Sequence, residues 1–249
     1  MFQTKTSLAD VLGNARIDRV TPLRDQIYQI IRGAIVTGRL KPGDSIDEVA
    51  IARYLGISRT PVREAVKKIS DECLIEVRAQ SGTHVAAINR RQVEEAYIIR
   101  TALELESVAR ASSLVTPAHI HDLEDIVRGH ARAFDRRQFD EAVIRDDDFH
   151  RYIAGINGLS MLWRAVDISK AQMDRCRHLA AISAPAYGHR TIAQHRAIIR
   201  ALKTGDRKAP LAAMRDHLDA SLANALKLLD AMPEQADAFG ARRQRTAKR

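Results

Sequence analysis

The tightest constraint on the fold comes from residues 54–69, YLGISRTPVREAVKKI, in which two helical patterns meet across one glycine turn. The first pattern ends at Gly56, a residue that terminates helices because it readily adopts a left-handed conformation. Ser58 predicts the N-cap of the second helix, and Pro61 is tolerated in its first turn because an N–H there would have no helical partner. Two helices joined by so short a turn predict a helix-turn-helix unit.

The second of these helices begins with a cluster of hydrogen-bond donors. Arg59, Arg63 and Lys67 recur at four-residue spacing on a face that its apolar residues avoid. Ser58, Thr60 and the free backbone N–H groups add donors at the same end. Such a helix start suits the major groove of DNA, because Arg can donate two hydrogen bonds to guanine and the N–H groups face phosphates. A capped, arginine-rich surface helix in another kind of protein would show the same pattern. The choice between a DNA-binding helix and an ordinary surface helix therefore depends on the neighbouring segments.

Those neighbouring segments favour a DNA-binding unit. Residues 23–35 predict an amphipathic helix, and residues 73–88 predict two short strands joined as a hairpin. The order of helix, helix, turn, helix and hairpin predicts a winged helix-turn-helix. Gly82 would let the hairpin tip approach a minor groove, and Arg78 and His84 are candidates for phosphate contacts.

The charge balance agrees with a polyanionic partner. Lys and Arg number 40 against 31 Asp and Glu, which gives a net charge of +9. The positive charge would suit a nucleic acid or an anionic membrane surface. Nucleic acid is favoured, because no apolar run approaches the length of a spanning helix and no signal-peptide pattern opens the chain. Cys73 and Cys176 are predicted to be buried, small apolar residues in a reducing compartment, so a cytoplasmic location is expected.

From Asn89 onward the pattern changes to longer amphipathic segments. Six helices are predicted, over residues 90–113, 117–136, 139–156, 159–182, 188–203 and 208–231. The predicted fold class is mainly α, with a winged helix-turn-helix followed by an antiparallel, all-helical bundle. The expected domain limits are a flexible arm at 1–20, a DNA-binding domain at 21–88, a helical domain at 89–232 and a basic tail at 233–249. The tail is expected to be solvated rather than a site of phosphate contact.

Several polar residues lie on apolar stripes of the helical domain. Asp146 and His150 are one turn apart on one face, and His195 and His217 occupy the stripes of two later helices. Neutral imidazoles and a carboxylate are suitable ligands for a divalent transition metal. A single His on an apolar face is more often a hydrogen-bonded core residue, so periodicity alone leaves a core role and a metal site both open. Arg100 also lies in such a stripe, where burial without an anion is costly.

A resemblance to a known family covers residues 35–86, IVTGRLKPGDSIDEVAIARYLGISRTPVREAVKKISDECLIEVRAQSGTHVA. This stretch resembles the winged helix-turn-helix of the GntR family of bacterial transcription regulators. Some relatives carry an Arg that reads a base at the position of Val49. The side chain of Val49 cannot hydrogen-bond, so Arg59 and Arg63 are expected to bear more of the base readout. The residues that the resemblance implies for DNA contact are Ser58, Arg59, Thr60 and Arg63, with Gly82 in the wing.

Four later segments, IRTALELESVAR, RDDDFHRYIA, AQHRAIIRALKTGD and AAMRDHLDASLANAL, are similar to the FCD effector-binding domain of the FadR subfamily. Many members of that subfamily bind a divalent ion such as Zn²⁺ or Ni²⁺. Six helices rather than seven indicate the VanR-like branch. Gln194, directly before His195, stands at a position where members of the subfamily commonly have Glu. The metal ligands that the resemblance implies are Asp146, His150, His195 and His217.

The resemblance implies a metabolite-responsive regulator, with repression as the common mode. It would act as a homodimer on a two-fold, double-stranded operator. Its effector would be a small carboxylate, bound by the ion and by Arg100, although a structural salt bridge from Arg100 to Glu104 or Asp146 is an open alternative. The expected pocket walls are Trp163, Val166, Met173 and Arg177.

Two other functions compete with a regulator. The first is a metal-dependent hydrolase that uses the same Asp/His cluster. It lacks support because the sequence has no HExxH or similar motif to supply a general base beside the metal. The second is a protein held on nucleic acid by charge alone, which would show no preference for an operator.

Overall fold

The structure is a computed structural model that describes residue 12 and residues 17–18, 20–78, 81–183 and 185–232. Most of the arm predicted at 1–20, and all of the basic tail predicted at 233–249, lie outside the described residues. The described chain forms two compact units, which divide between Ile88 and Asn89. Within it there are ten helices and one two-stranded sheet, so the prediction of a mainly α protein is confirmed.

The first unit is built from three helices and a hairpin. Its elements are α1 (Leu23–Val36), α2 (Glu48–Leu55), α3 (Arg59–Asp71), β1 (Ile75–Arg78) and β2 (Gly82–Val85). Helix α3 packs against both α1 and α2. Its core face is almost fully buried at Val62 and Ile69, and Ile31 of α1 is buried with them. The strands pair antiparallel, with Ile75 opposite Val85.

The turn between α2 and α3 forms as its sequence predicts. Asp47 caps α2 by accepting hydrogen bonds from the N–H groups of Val49 and Ala50. Gly56 ends the helix with φ of 66°, in the left-handed region where a side chain would be strained. Because only Ile57 and Ser58 then separate Gly56 from α3, the direction of the second helix is fixed by this one glycine.

The second unit is all helical. Its elements are α4 (Arg90–Ala111), α5 (Pro117–Asp135), α6 (Phe139–Ile156), α7 (Ser160–Ser169), α8 (Ala171–Ser183), α9 (Pro185–Leu202) and α10 (Lys208–Ala231). Helix α5 packs along α6, and α10 packs along α4 and α9. The apolar core between them is buried at Leu123, Phe149, Ile153, Ile198 and Met214.

The helix predicted over 159–182 is wrong, because the chain breaks at Lys170 into α7 and α8. The break has no Gly or Pro to announce it. Lys170 is only 1% exposed, and its ammonium lies 2.7 Å from Asp147 and 2.6 Å from Asp174. The described residues of the unit therefore form seven helices, and the count of six that indicated the VanR-like branch does not hold.

The prediction that both cysteines are buried is wrong for Cys73. Helix α3 ends at Asp71, and Cys73 follows in a turn with φ of 56°, where its side chain is exposed. The apolar stripe that included Cys73 applies only while the helix continues. Cys176 of α8 is buried as predicted, and burial raises the pKa of its thiol to about 12.

Two glycines in helices give contrasting predictions for stability. A Cβ at Gly188 of α9 would lie 2.0 Å from ring carbons of Phe134, whereas a Cβ at Gly155 of α6 would meet no described heavy atom beyond its own helix backbone. We expect Gly188→Ala to lower the free energy of unfolding by about 1–3 kcal/mol through overpacking. Gly155→Ala should raise it by up to about 1 kcal/mol, because Ala is the better helix former. Urea unfolding followed by circular dichroism measures both, and equal shifts would contradict the close approach at Gly188.

Candidate metal centre and nucleic-acid interface

The start of α3 presents the predicted donors to solvent. Ser58, Arg59, Thr60 and Arg63 are all exposed. Neither arginine forms an ion pair within the described part of the chain. The opposite face of α3 is the buried one, so both guanidinium groups project away from the core. The geometry leaves them free to reach an external partner.

Ser58 differs from its prediction in one respect. Its backbone occupies the N-cap position in an extended conformation, but its side chain makes no capping hydrogen bond. The capping prediction is therefore wrong for the hydroxyl group. Because the hydroxyl is exposed and not used by α3, it can contact a phosphate.

The wing has Gly82 where the sequence predicts it, but its two candidates for phosphate contacts, Arg78 and His84, both contact other groups of the protein. Gly82 begins β2 with φ of 88°. The ring of His84 lies 3.1 Å from the carbonyl oxygen of Gly43 and 2.8 Å from that of Ser81, so it braces the hairpin. The ring nitrogens of His84 are therefore engaged by groups of the protein itself. Arg78 forms an ion pair with Glu76 on the same strand.

The four predicted metal ligands come together in the helical unit. Asp146 and His150 lie on α6, His195 on α9 and His217 on α10, and one donor atom from each falls within 4.8 Å of all the others. Nε2 of His150 is 3.1 Å from Nε2 of His217, and Nε2 of His195 is 3.5 Å from Oδ1 of Asp146. All four residues are buried.

His195 supplies a direct test of whether a metal fits. Both of its ring nitrogens are buried, and neither has a hydrogen-bond partner among the described residues. Leaving a buried polar group unsatisfied costs about 1–3 kcal/mol. A divalent ion beside Nε2 would give that nitrogen a partner. Three imidazoles and one carboxylate also form a donor set that transition metals such as Zn²⁺ accept, so the residues present fit the ion.

The rings of His195 and His217 are held neutral, and a neighbouring aromatic ring packs on His195. Burial, reinforced by the neighbouring histidines, places the pKa of His195 and of His217 well below the ordinary value. Neutral imidazole is the form that binds a metal, so no proton has to leave these rings first. The ring of Phe149 stacks on His195, with centroids 4.1 Å apart and planes 16° apart.

Two outer residues contact the predicted ligands, and the sequence analysis missed this position of Glu104. Oε2 of Glu104 lies 2.5 Å from Nδ1 of His150, and Oε1 of Gln194 lies 3.3 Å from Nδ1 of His217. With a proton on each Nδ1, Nε2 would be left to face the centre, as in other carboxylate–histidine–metal arrangements. The sequence feature that could have revealed Glu104 is its four-residue spacing from Arg100 along α4.

Arg100 forms the structural salt bridge that the sequence left open. Its Nε lies 2.7 Å from Oε1 of Glu104, and both side chains are buried. Burial alone would raise the pKa of Glu104, but the guanidinium of Arg100 and the adjacent ring of His150 outweigh it and hold that pKa far below its usual range. Arg100 also borders the cavity beside Asp146, so a role toward a ligand stays a prediction.

Arg177 of α8 is the other cation at the centre. Its guanidinium contacts the carboxylate of Asp146, and it lies 3.1 Å from Asp147 and 2.7 Å from Asp174. Lys170 shares the last two carboxylates. This network ties α6 to α8 next to the predicted metal ligands.

A cavity of about 70 Å³ opens against this centre. Arg177 is part of its wall, as predicted. Trp163 and Val166 belong instead to a separate apolar cluster around Ala154, so that part of the predicted wall is wrong. The polar side chains on the wall include Arg100, His130, Asp146, Arg177, His217 and Ser221.

His130 had no role in the sequence analysis. It lies on α5 and is 4% exposed, and its Nδ1 is buried without a hydrogen-bond partner among the described residues. Its ring centroid is 5.6 Å from that of His195. Burial, with Arg177 and His150 nearby, lowers the pKa of His130 to about 3, so the ring is neutral.

Comparison with known proteins decides the family. Residues 23–85 match the family described as bacterial regulatory proteins, gntR family, and residues 95–220 match the FCD domain. The chain belongs to the GntR family. This GntR chain is 32% identical over 205 residues to the HTH-type transcriptional repressor RspR of Escherichia coli K12, covering 82% of this chain and 89% of RspR.

Other relatives extend the comparison. A protein of Paenarthrobacter nicotinovorans with the name "Probable D-xylose utilization operon transcriptional repressor" is 31% identical over 217 residues, which is 83% of this chain and 90% of that protein. Among solved structures, E. coli McbR/YncC matches with a TM-score of 0.73 at 22% identity, covering 84% of this chain and 99% of McbR. A GntR regulator from Rhodococcus sp. RHA1 matches with a TM-score of 0.66 at 22% identity, covering 83% and 99%. The two structures support the fold.

The GntR chain is a DNA-binding transcriptional regulator. The matching families and relatives are transcriptional regulators, which are not enzymes, so the hydrolase alternative is not supported. Among the described residues, no helix is both long enough and apolar enough to span a membrane.

Proposed function

We propose that this GntR regulator is a homodimeric repressor whose helical unit binds a divalent metal ion and a small carboxylate effector. The observation that carries the proposal is the convergence of one carboxylate and three imidazoles, in which the buried nitrogens of His195 have no hydrogen-bond partner among the described residues. The repressor names of RspR and of the Paenarthrobacter relative support the mode of action. We also propose a cytoplasmic location, because the DNA that such a regulator binds lies there.

On DNA, the exposed start of α3 would enter the major groove. Arg59 and Arg63 are one turn apart, so both can reach base edges, while Ser58 and Thr60 contact phosphates. Gly82 would bring the wing close to a minor groove. A two-fold operator needs one recognition helix for each half-site, which is why a homodimer is proposed.

In the helical unit, Asp146, His150, His195 and His217 would hold Zn²⁺ or Ni²⁺. When bound, the ion supplies a positive charge that attracts a carboxylate. Arg100 borders the same cavity and can contact that carboxylate through guanidinium donors that Glu104 does not use. D-Xylose, the sugar in the name of one relative, carries no charge, whereas two guanidinium groups on the wall favour an anion.

Effector control would work through the three helices that carry the ligands. The ion joins α6, α9 and α10, and Arg100 adds α4, the first helix after the DNA-binding unit. A ligand can shift the equilibrium between two arrangements only by binding one of them more tightly. The effector would therefore favour the arrangement with the lower affinity for the operator.

The DNA-binding proposal is tested by selecting sites from a random duplex library with the full-length protein. We expect a symmetric site whose half-sites lie about one helical turn, or a multiple of it, apart. Footprinting on the selected site should show protection of both halves. Enrichment of no sequence over the starting library would contradict readout by α3.

The metal proposal is tested on protein stripped with a chelator and then titrated with Zn²⁺ or Ni²⁺. We expect one ion per chain and a rise in the melting temperature, because a ligand that binds only the folded state stabilises it. Plasma mass spectrometry gives the stoichiometry. Absence of uptake, with the fold intact by circular dichroism, would remove the metal from the proposal.

Gln194 provides a variant expected to gain affinity. A carboxylate in place of its amide would accept the Nδ1–H of His217 more strongly and make that ring a better donor to the ion. We expect Gln194→Glu to tighten Zn²⁺ binding by roughly tenfold, since outer partners change metal affinity by about 10- to 100-fold. Competition with a chromogenic chelator measures the affinity. Gln29→Glu, on an exposed site of α1, is the matched control and should leave it unchanged.

A further inference from the structure

The seam between α5 and α9 contains an open groove of about 250 Å³. No described residue lines both this groove and the cavity beside Asp146, so the groove is a separate feature of the helical unit. Its charged lining consists of four cations and one carboxylate. These residues are Arg128, Arg196, Arg200, Lys203 and Glu124.

The charge around the groove is positive overall. Asp125, beside the groove, pairs with Arg128, and the ammonium of Lys203 lies 2.6 Å from Glu124. The hydrogen bond from Lys203 lowers the pKa of Glu124, which is therefore ionised at neutral pH. When both carboxylates are counted against the four cations, two positive charges remain in excess. A small anion with about two negative charges would complete the balance.

Arg196 and Arg200 are the two lining cations that form no ion pair within the described part of the chain. Their side chains are exposed one turn apart on α9, where two like charges repel each other and destabilise a helix. An anion between the two guanidinium groups would remove that repulsion. The pair is therefore available to a ligand and favours an anionic one.

The floor of the groove is apolar and sets a limit on ligand size. Val127 of α5 is 2% exposed and Ile199 of α9 is 4% exposed. An anion above this floor is partly shielded from water, so its attraction to the cations is screened less than on a flat surface. At about 30 Å³ for each water molecule, the groove has room for about eight waters. That space suits one anionic group with a small attached body.

The charge and the donor geometry favour phosphate over carboxylate. A phosphate monoester carries a charge of about −1.5 to −2 at pH 7 and presents three strong acceptor oxygens. A carboxylate carries only one charge and two oxygens. The planar fork of a guanidinium group matches phosphate oxygens in pairs, so two such forks can share one phosphate group.

We propose that the groove between α5 and α9 binds a small phosphate monoester, and that Arg196 and Arg200 hold its phosphate group. This ligand is distinct from the effector proposed for the cavity beside Asp146. Because His195 directly precedes Arg196 on α9, a ligand in the groove contacts a helix that also carries a proposed metal ligand. The groove would give the regulator a second small-molecule input.

Calorimetry with glycerol 3-phosphate on full-length variants tests the location of the site. We expect Arg196→Gln with Arg200→Gln to weaken binding by at least about tenfold, because both charged hydrogen-bond donors are lost. Arg132→Gln with Arg136→Gln, an exposed pair with the same spacing at the end of α5, is the matched control and should leave the affinity unchanged. An unchanged affinity in the Arg196 and Arg200 variant would overturn the groove as the site.

A second double variant separates the guanidinium forks from their charge. Arg196→Lys with Arg200→Lys keeps both charges but cannot form two-bond contacts, so we expect it to bind glycerol 3-phosphate several-fold more weakly than the wild type. Circular dichroism checks that all variants are folded. Equal binding by the lysine variant and the wild type would overturn recognition by the forks.

Glycerate and glycerol test the ligand class, since they share the three-carbon body of glycerol 3-phosphate. Glycerate bound at the metal centre would persist in the glutamine variant of Arg196 and Arg200, so only the binding which that variant loses is compared. We expect glycerol 3-phosphate to bind the groove at least about tenfold more tightly than glycerate, and glycerol not to bind measurably. Glycerate binding the groove as tightly as glycerol 3-phosphate would overturn the phosphate class.

DNA is the other anion that this face of α9 could meet. Fluorescence anisotropy with the operator duplex measures this alternative on the glutamine variant of Arg196 and Arg200. We expect an operator affinity close to that of the wild type. A steep loss of operator affinity, together with no binding of glycerol 3-phosphate by the wild type, would make the groove part of the DNA-binding surface and overturn the proposal.

Discussion

Replacing Arg59 and Arg63 together by alanine is expected to weaken operator binding by about two to four orders of magnitude. Each two-bond contact from Arg to guanine contributes about 1–3 kcal/mol of discrimination. Both side chains are exposed at the start of α3, and neither is held by an ion pair in the described chain. Their removal should therefore leave the unit folded and take away its base contacts.

The same substitution should also erase the preference for the operator over unrelated DNA. Fluorescence anisotropy with labelled duplexes of both kinds measures the two affinities at one salt concentration, since phosphate binding depends steeply on salt. The matched control is Arg196→Ala with Arg200→Ala, an exposed pair with the same four-residue spacing on α9. It removes the same charge and should change the operator affinity only slightly. Equal losses in the two double variants would mean that the protein is held by charge alone.

Replacing His195 by alanine is expected to remove stoichiometric metal binding, with a loss of affinity of at least about 100-fold. Outer partners of a ligand already cost about 10- to 100-fold when they are changed, so a ligand itself costs more. His195 is the proposed ligand on α9, and its buried nitrogens have no hydrogen-bond partner among the described residues that would keep them in another role.

Loss of the ion also has a thermodynamic readout. At a free metal concentration 100 times the dissociation constant, binding stabilises the native state by about 2.7 kcal/mol. Wild-type protein should show this rise in urea unfolding experiments with Zn²⁺, and His195→Ala should not. His121→Ala, on an exposed position of α5, should behave like the wild type. Unchanged occupancy in His195→Ala would show that His195 is not a ligand.

Residue spacing within single helices was enough to place the Asp and His side chains of the cluster on buried faces, whereas their role as metal ligands was implied by the family resemblance. Asp146 and His150 are one turn apart, so any straight helix places them on one face. His195 and His217 lie on the apolar stripes of α9 and α10, and those stripes must turn inward to be buried. The start of α3 was predictable for the same reason, because its polar and apolar faces are separated within a few residues.

Contacts between helices were not predictable in this way. Glu104 reaches His150, and Gln194 reaches His217, only because of how far each helix is rotated and shifted along its neighbours. Periodicity in one segment carries no information about that offset. The break at Lys170 was missed for a related reason. Its ammonium is buried because it pairs with Asp147 and Asp174, and the sequence pattern, which suggests a continuous helix, does not reveal that pairing.

The stacking of Phe149 on His195 gives the centre a built-in spectroscopic reporter. A proton held above the face of an aromatic ring is shielded by the ring current, so the carbon-bound protons of His195 should resonate upfield of those of exposed histidines such as His121. Because the rings lie 4.1 Å apart and nearly parallel, a small rotation of the imidazole changes that shielding strongly. The chemical shift of one side chain can thus follow the arrival of a diamagnetic ion in solution, without any added label.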